Sequence, residues 1–131
     1  MAWGGIIAVG GGAAVGAWLR WGFGMLLNPL FPTVPLGTLA ANLLGGLLMG
    51  FAMEFLDRHA IMSPEVRLLV TTGFLGGLTT FSTFSAEIVT LLTRKEYLWG
   101  SIAIGAHLIG SLAMTFLGIL LIRALYAWGT P

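Results

Sequence analysis

Hydroxyl-bearing residues and phenylalanines alternate inside a long apolar part of this chain. The stretch from Gly73 to Glu87 reads GFLGGLTTFSTFSAE, and only its last residue is charged. Irregular backbone and side-chain hydroxyls occur at membrane depth only where they are buried in protein or line a polar cavity. If this segment crosses a membrane, it therefore indicates a pathway or a binding site inside the bilayer.

Phe81 and Phe84 are three residues apart, so they share one face of a helix. Two apolar rings at this spacing are typical of packing, but here Ser82 and Thr83 lie between them. Because an aromatic ring is positive at its edge, ring edges beside hydroxyl donors can stabilise a small anion. A full positive charge would hold the ion too tightly to release it, whereas conduction needs weak, repeated sites.

Other polar side chains are few within the apolar stretches, and each has two interpretations. Asn42 is either a hydrogen-bond link between helices or an N–H donor to a transported anion. Ser111 and Thr115 lie on one helix face and either extend a hydroxyl track or bond back to carbonyls of their own helix. His107, four residues before Ser111, is expected to be an interior or interfacial histidine with satisfied hydrogen bonds, and alone it supports no metal site.

Two charged residues lie near the ends of apolar stretches. Arg20 either extends to the lipid headgroups or forms an electropositive vestibule that raises the local anion concentration. Glu87 either extends to the interface or accepts a hydrogen bond from a pathway hydroxyl. An acidic side chain would be a poor direct ligand for an anion.

The composition indicates a membrane protein. Of 131 residues, 57% are hydrophobic and 8% charged, whereas a soluble domain has about 25% charged residues. A span needs about 20 apolar residues, so we predict one four-helix transmembrane domain over residues 1–131, with helices at about 3–27, 36–56, 66–92 and 97–126. The first 20 residues lack a leading positive charge, which favours a retained helix over a cleaved signal. A net charge of +1 gives no basic patch for nucleic acid.

Gly73, Gly76 and Gly77 precede Thr79 in the third predicted helix. They indicate either a close helix crossing or an interruption midway through the helix. An interruption frees backbone carbonyls, and discontinuous membrane helices use such carbonyls to hold Na⁺.

Positive charges are balanced between the two predicted sides of the membrane. Three lie on each side, so orientation is weakly specified: one side has Arg58, Arg67 and Arg123, and the other has Arg20, Arg94 and Lys95. Either one residue decides the orientation, or the chain inserts both ways and forms an antiparallel homodimer. Four small-residue motifs and 20 glycines favour an oligomer, most simply a two-fold dimer.

Together these features resemble the Fluc (CrcB) family of fluoride channels over nearly the whole chain. The resemblance rests on Gly16-Ala-Trp-Leu-Arg20, the segment 37–45, the run 73–87 and the segment 110–115. It implies an all-α, antiparallel, dual-topology homodimer with two parallel fluoride pores and with the third helix broken at its centre. It also implies passive export of F⁻ from the cytoplasm across the inner (plasma) membrane, as a multi-pass channel that is not an enzyme.

The resemblance also implies roles for individual residues. Phe81 and Phe84 would line the pores with ring edges toward fluoride, and Asn42 would donate to the ion. Backbone carbonyls of Gly76 and Thr79 from both chains would bind a central structural Na⁺. The remaining assignments are a vestibule at Arg20, a polar track through Ser111 and Thr115, and further pathway positions at Ser82, Thr83, Thr38 and Glu87. Some members carry a tyrosine and another serine on helix 4, where this chain has Ala103 and His107.

Two other function classes fit part of the sequence. A small multidrug exporter also has four helices and exchanges protons for cations through a carboxylate in helix 1, but helix 1 here has Arg20 and no acid. A structural membrane scaffold would leave the hydroxyl and phenylalanine run unexplained.

Overall fold

The computed structural model describes residues 2–129, which are all-helical and contain no strand. Helix α1 covers Ala2–Leu27 and α2 covers Leu36–Arg58. Helix α3 is one continuous helical segment over 64–78, α4 covers Phe81–Thr93, and α5 covers Tyr97–Gly129. Four stretches are long and apolar enough to cross a membrane, the third being Pro64–Thr93. The prediction of four helices long and apolar enough to span a membrane is confirmed, and each predicted end lies within three residues of the observed helix end.

Local signals explain where the helices begin and end. Pro35 immediately precedes α2. Ser63 caps α3, since its hydroxyl accepts a hydrogen bond from the backbone N–H of Val66, and Pro64 follows as the first helical residue, where its missing N–H costs nothing. Lys95 has a φ of 60° in the turn between α4 and α5, which reverses the chain within three residues.

Glycines allow two close helix crossings within the chain. Gly16 on α1 lies against α3, and a Cβ added there would be 2.6 Å from the backbone nitrogen of Leu78. Gly46 on α2 lies against α5, where an added Cβ would be 2.8 Å from the carbonyl oxygen of Ser111. Such contacts let helix backbones approach closely without a hydrophobic driving force. The glycine motifs are therefore used inside one chain, and their number does not by itself require a second copy.

Two extended residues separate α3 from α4. The last helical bond of α3 joins the Thr79 N–H to the Leu75 carbonyl at 3.0 Å. Thr79 then adopts φ −87° and ψ 155°, and Thr80 adopts φ −151° and ψ 117°. Upstream, Leu68–Leu75 forms a π-helix, a wider turn that often marks functional sites. The Gly73 to Glu87 stretch thus contains both a close helix crossing and an irregular backbone.

Enlarging Gly16 should destabilise the bundle, because a methyl group there would collide with the backbone of α3. We expect Gly16→Ala to lower the free energy of unfolding by about 1–3 kcal/mol, as overpacking typically does. Gly22→Ala is the matched control on the same helix, since nothing lies within 4 Å of its added Cβ. Thermal unfolding in detergent measures both variants. Equal stability of the two would contradict the close crossing of α1 and α3.

Candidate functional site

The side-chain amide of Asn42 pairs with both backbone groups of Thr80. Its Oδ1 accepts from the Thr80 N–H at 2.8 Å, and its Nδ2 donates to the Thr80 carbonyl at 3.1 Å. Buried backbone groups need partners, and an interrupted helix cannot supply them. Asn42 therefore acts as the hydrogen-bond link between helices that was one of its two interpretations, and it holds the extended residue in place.

Asn42 makes a further contact with α5. Its Nδ2 lies 3.0 Å from Nδ1 of His107, which is buried with 4% of its surface exposed. Because Nδ2 has two hydrogens, one can donate to the Thr80 carbonyl and the other to the ring. Both N–H groups of Asn42 are thus engaged within the protein in this arrangement.

The larger cavity lies beside this link. It has a volume of about 410 Å³ and brings together residues of α2, α4 and α5 with the extended pair between α3 and α4. None of its lining side chains is Asp, Glu, Lys or Arg. The polar and aromatic lining residues are Asn42, Thr79, Thr80, Phe81, Phe84, His107, Ser111 and Thr115.

The two phenylalanines contact each other but differ in burial. Their ring centroids are 5.3 Å apart with an angle of 59° between the planes. Phe84 is buried, 7% exposed, and its centroid is 4.6 Å from that of His107. Phe81 is 71% exposed in the single chain. One ring therefore belongs to the chain's interior, while the other faces outward beside the cavity.

A second cavity of about 330 Å³ lies nearer α1. Its lining includes Arg20, Thr38 and Thr83, together with Thr80. Thr80 also lines the larger cavity. The extended residue held by Asn42 therefore borders both spaces. Its hydroxyl accepts from the Thr83 N–H at 3.2 Å and so caps α4.

The two charged candidates are tied to neighbouring helices. Arg20 donates from Nε to the Gly77 carbonyl at 3.1 Å, a contact that neither interpretation of this residue included. It fastens α1 to the last turn of α3. The Thr38 hydroxyl donates to Oε1 of Glu87, so the carboxylate accepts from a hydroxyl that lines the second cavity.

The remaining hydroxyl-bearing candidates differ in whether they line a cavity. Thr115 donates to the Ser111 carbonyl at 3.0 Å, so it bonds back to its own helix, and both residues also line the larger cavity. Ser82 is exposed and lines neither of these two cavities, with its Oγ 3.3 Å from Oγ1 of Thr80.

Two carbonyls near the extended pair lose the bonds that a continuous helix would supply. The Thr80 N–H goes to Asn42 rather than to the Gly76 carbonyl, and the Thr83 N–H goes to the Thr80 hydroxyl rather than to the Thr79 carbonyl. Gly76 is exposed and Thr79 is partly buried. Over residues 2–129, no group of three or more His, Cys, Asp or Glu side chains could hold a metal ion.

His107 and Thr80 are the site residues that the sequence did not identify. His107 was expected to be satisfied, but its Nε2 is buried without a hydrogen-bond partner among the described residues. The spacing of His107, Ser111 and Thr115, four residues apart on one helix face, was the available signal. The signal for Thr80 was weaker: it is a threonine that directly precedes the helix beginning at Phe81.

Comparison with known proteins identifies the family. A sequence model described as CrcB-like protein, Camphor Resistance (CrcB), matches residues 7–119. The chain belongs to the CrcB family. The resemblance noted from the sequence is thereby confirmed.

Curated relatives of this CrcB-family chain carry a functional name. A protein from Nitrosospira multiformis named "Fluoride-specific ion channel FluC" is 63% identical over 118 residues, which cover 90% of this chain and 92% of the relative. Proteins with the same name from Ralstonia nicotianae and Aromatoleum aromaticum are 56% and 57% identical, over 92% and 93% of this chain and 96% and 91% of theirs. Similarity thus reaches all four spans.

Removing the Asn42 amide should destabilise the extended pair, because two backbone groups of Thr80 would lose their partner. We expect Asn42→Ala to cost about 1–3 kcal/mol of unfolding free energy, the range for leaving buried polar groups unsatisfied. Thr90→Ala is the control, since it removes an exposed hydroxyl that only bonds back to Ala86. Thermal unfolding of the two variants compares them. An Asn42→Ala protein as stable as the control would contradict the link.

Proposed function

We propose that this chain is a fluoride-selective ion channel that lets F⁻ leave the cytoplasm passively. Its relatives' names and its membership of the CrcB family support fluoride as the ion. The observation that carries the proposal is the larger cavity. It combines hydroxyl-bearing residues, two phenylalanines and an asparagine within the membrane-spanning region, and none of its lining side chains is Asp, Glu, Lys or Arg. In bacteria a protein with four such spans is a multi-pass protein of the plasma membrane.

Passive export follows from the chemistry of a weak acid. Uncharged HF crosses membranes and dissociates in the more alkaline cytoplasm, which traps F⁻ there. The membrane potential then drives the anion outward, at about 2.3 kcal/mol per charge for each 100 mV. A channel therefore needs neither a catalytic group nor a coupled ion, and the cavity's neutral lining supplies neither.

Selectivity for a small anion requires donors that do not adjust to a larger one. A narrow, dehydrating pore with rigidly held groups meets this need. Asn42 supports it, because each of its amide hydrogens and its oxygen is engaged with Thr80 or His107. Phe84 is likewise fixed, since it packs in a buried cluster with Ile88 and Leu91.

The multidrug exporter is the weaker candidate. Helix α1 carries no carboxylate, and its charged residue, Arg20, bonds to a backbone carbonyl. The relatives' names give no support to cation export. A purely structural scaffold leaves the cavity and the extended pair without a role.

We further propose that two copies associate in opposite orientations. The exposed ring of Phe81 and the exposed Gly76 lie beside the extended pair, where a second copy would cover them. The nearly equal charge on the two ends supports insertion both ways. At one end, Arg58 and Arg123 both form ion pairs with the carboxylate of Glu54, with nitrogen–oxygen distances of 2.8 Å and 2.9 Å.

A structural Na⁺ at the two-fold axis fits these carbonyls. Gly76 and Thr79 each have a carbonyl without the helical N–H that would otherwise occupy it, and oxygen atoms are the ligands that a hard cation prefers. Two copies would bring four such oxygens together. Binding of radioactive Na⁺ to the purified protein, one ion for two chains, tests this assignment, and no binding would refute it.

Fluoride efflux from proteoliposomes tests the channel and the ring-edge role together. We expect the wild type to release fluoride without a proton gradient and to exclude chloride and a quaternary ammonium ion. Phe81→Ile and Phe84→Ile should each slow efflux about tenfold, the factor for about 1.4 kcal/mol of lost stabilisation. Phe116→Ile is the control, since this ring on α5 lines neither of the two cavities. Wild-type efflux from both pathway variants would refute the ring-edge role, and proton-coupled cation exchange would favour the exporter.

Thiol labelling tests the double orientation, because the chain contains no cysteine. Asp57→Cys and Thr93→Cys place one exposed thiol at each end of the bundle and leave the number of Lys and Arg residues on each side unchanged. An impermeant maleimide applied to spheroplasts should label each variant to about half of the level reached after permeabilisation, as balanced insertion requires. Complete labelling of one variant and none of the other would show a single orientation.

A further inference from the structure

The loop that joins α1 to α2 contributes two apolar side chains to the interior of the chain. Val34 is only 6% exposed, and it belongs to one buried cluster with Phe84 of α4 and Ala103 of α5. Phe31 packs against the same cluster. Loops normally run over the surface, so a loop side chain as buried as Val34 is unusual.

The backbone of this loop is restrained at several points. Phe31 and Val34 each directly precede a proline, which disfavours the helical region for both, and Phe31 has φ −145° and ψ 87°. Oδ1 of Asn28 accepts from the Gly37 N–H at 2.8 Å and closes the loop at its base. Gly37 packs closely there, since an added Cβ would be 2.6 Å from the carbonyl oxygen of Phe23. A restrained backbone therefore presents the two apolar side chains.

Phe31 also connects the loop to the start of α5. Its ring centroid is 5.1 Å from that of Trp99, with an angle of 63° between the planes, and such an edge-to-face contact is one that aromatic pairs prefer. Ala103 lies one turn further along α5 and is 3% exposed. The loop, α4 and α5 therefore meet in one packed cluster.

Phe84 links this cluster to the candidate site. Of the cluster residues, it is the one that also lines the larger cavity. Helix α4 fixes the backbone of Phe84, but the angle and the motion of its ring depend on the side chains packed against it. A site discriminates between ions of different size only if its groups are held by such packing.

We propose that Val34, together with Phe31, is a positioning residue that holds the Phe84 ring at the angle required for fluoride passage. The proposal rests on the channel function and extends the site to the α1–α2 loop. Neither loop residue lines either of the two cavities. Their effect on transport must therefore pass through Phe84.

A double-mutant cycle on fluoride efflux from proteoliposomes tests this dependence. Val34→Ala removes two methyl groups from the cluster, and we expect it to slow efflux about threefold, at the low end of the coupling between packed residues. In a Phe84→Ile protein the same substitution should have no further effect. Val34→Ile keeps a branched side chain and should stay within about twofold of the wild type. Leu30→Ala is the matched control, since this side chain of the same loop is 68% exposed.

Two efflux results would overturn the proposal. Equal slowing by Val34→Ala with and without Phe84 would mean that Val34 acts by another route. Wild-type efflux from Val34→Ala would mean that the loop does not control the ring. If the wild type itself releases no fluoride, the channel function fails, and the motion of the ring then decides whether the loop holds Phe84.

Carbon-13 NMR of ring-labelled phenylalanine in bilayers measures this motion without transport. The Phe84 signal is the one that disappears in Phe84→Ile. In the wild type this ring should flip more slowly than that of Phe116, which is 68% exposed, because dense packing restricts rotation. Val34→Ala should speed the flipping of Phe84, and Leu30→Ala should not. Fast flipping in the wild type, or a rate that Val34→Ala leaves unchanged, would refute the positioning role.

Discussion

The pairing of one asparagine amide with one backbone residue determines much of this structure. At Thr80 the helical bonding of the third span stops, and Asn42 supplies a donor and an acceptor in its place. Without these two hydrogen bonds from Asn42, the N–H and the carbonyl of Thr80 would be unpaired at membrane depth, which the bilayer does not tolerate. The same contact releases the Gly76 carbonyl from its helical bond, orients His107, and separates two cavities. Structural support and a candidate ion path thus depend on a single side chain.

The packing of the surrounding helices holds Asn42 and Thr80 together. Glycines bring α1 against α3 and α2 against α5 at backbone distance, so the asparagine and the extended pair have little freedom to move apart. Arg20 adds a bond to the Gly77 carbonyl just before the irregular backbone. A site built on such closely packed helices is more rigid than one on loops, and rigidity is what discrimination between halides of different size requires.

Apolar runs and prolines were sufficient to predict the four spans, because hydrophobic length is a local property. Part of the hydroxyl and phenylalanine run lines the larger cavity. Contacts between distant positions were not accessible in this way: the bond from Arg20 to Gly77, the engagement of both Asn42 N–H groups, and the orphan Nε2 of His107 each need the packed helices. The glycine motifs were identified correctly, but their partners proved to lie within the chain. Spacing alone cannot distinguish a close helix contact within one chain from a contact between two chains.

The backbone conformation of Thr79 and Thr80 in a lipid bilayer tests the account most directly, since every other feature of the site depends on it. Solid-state NMR of protein labelled with carbon-13 threonine reports that conformation through its backbone shifts. The account predicts extended values for both residues, in contrast to helical values for Thr90 on α4. Helical shifts at Thr79 and Thr80 would mean that the third span is continuous, and the proposed fluoride site would then have no basis.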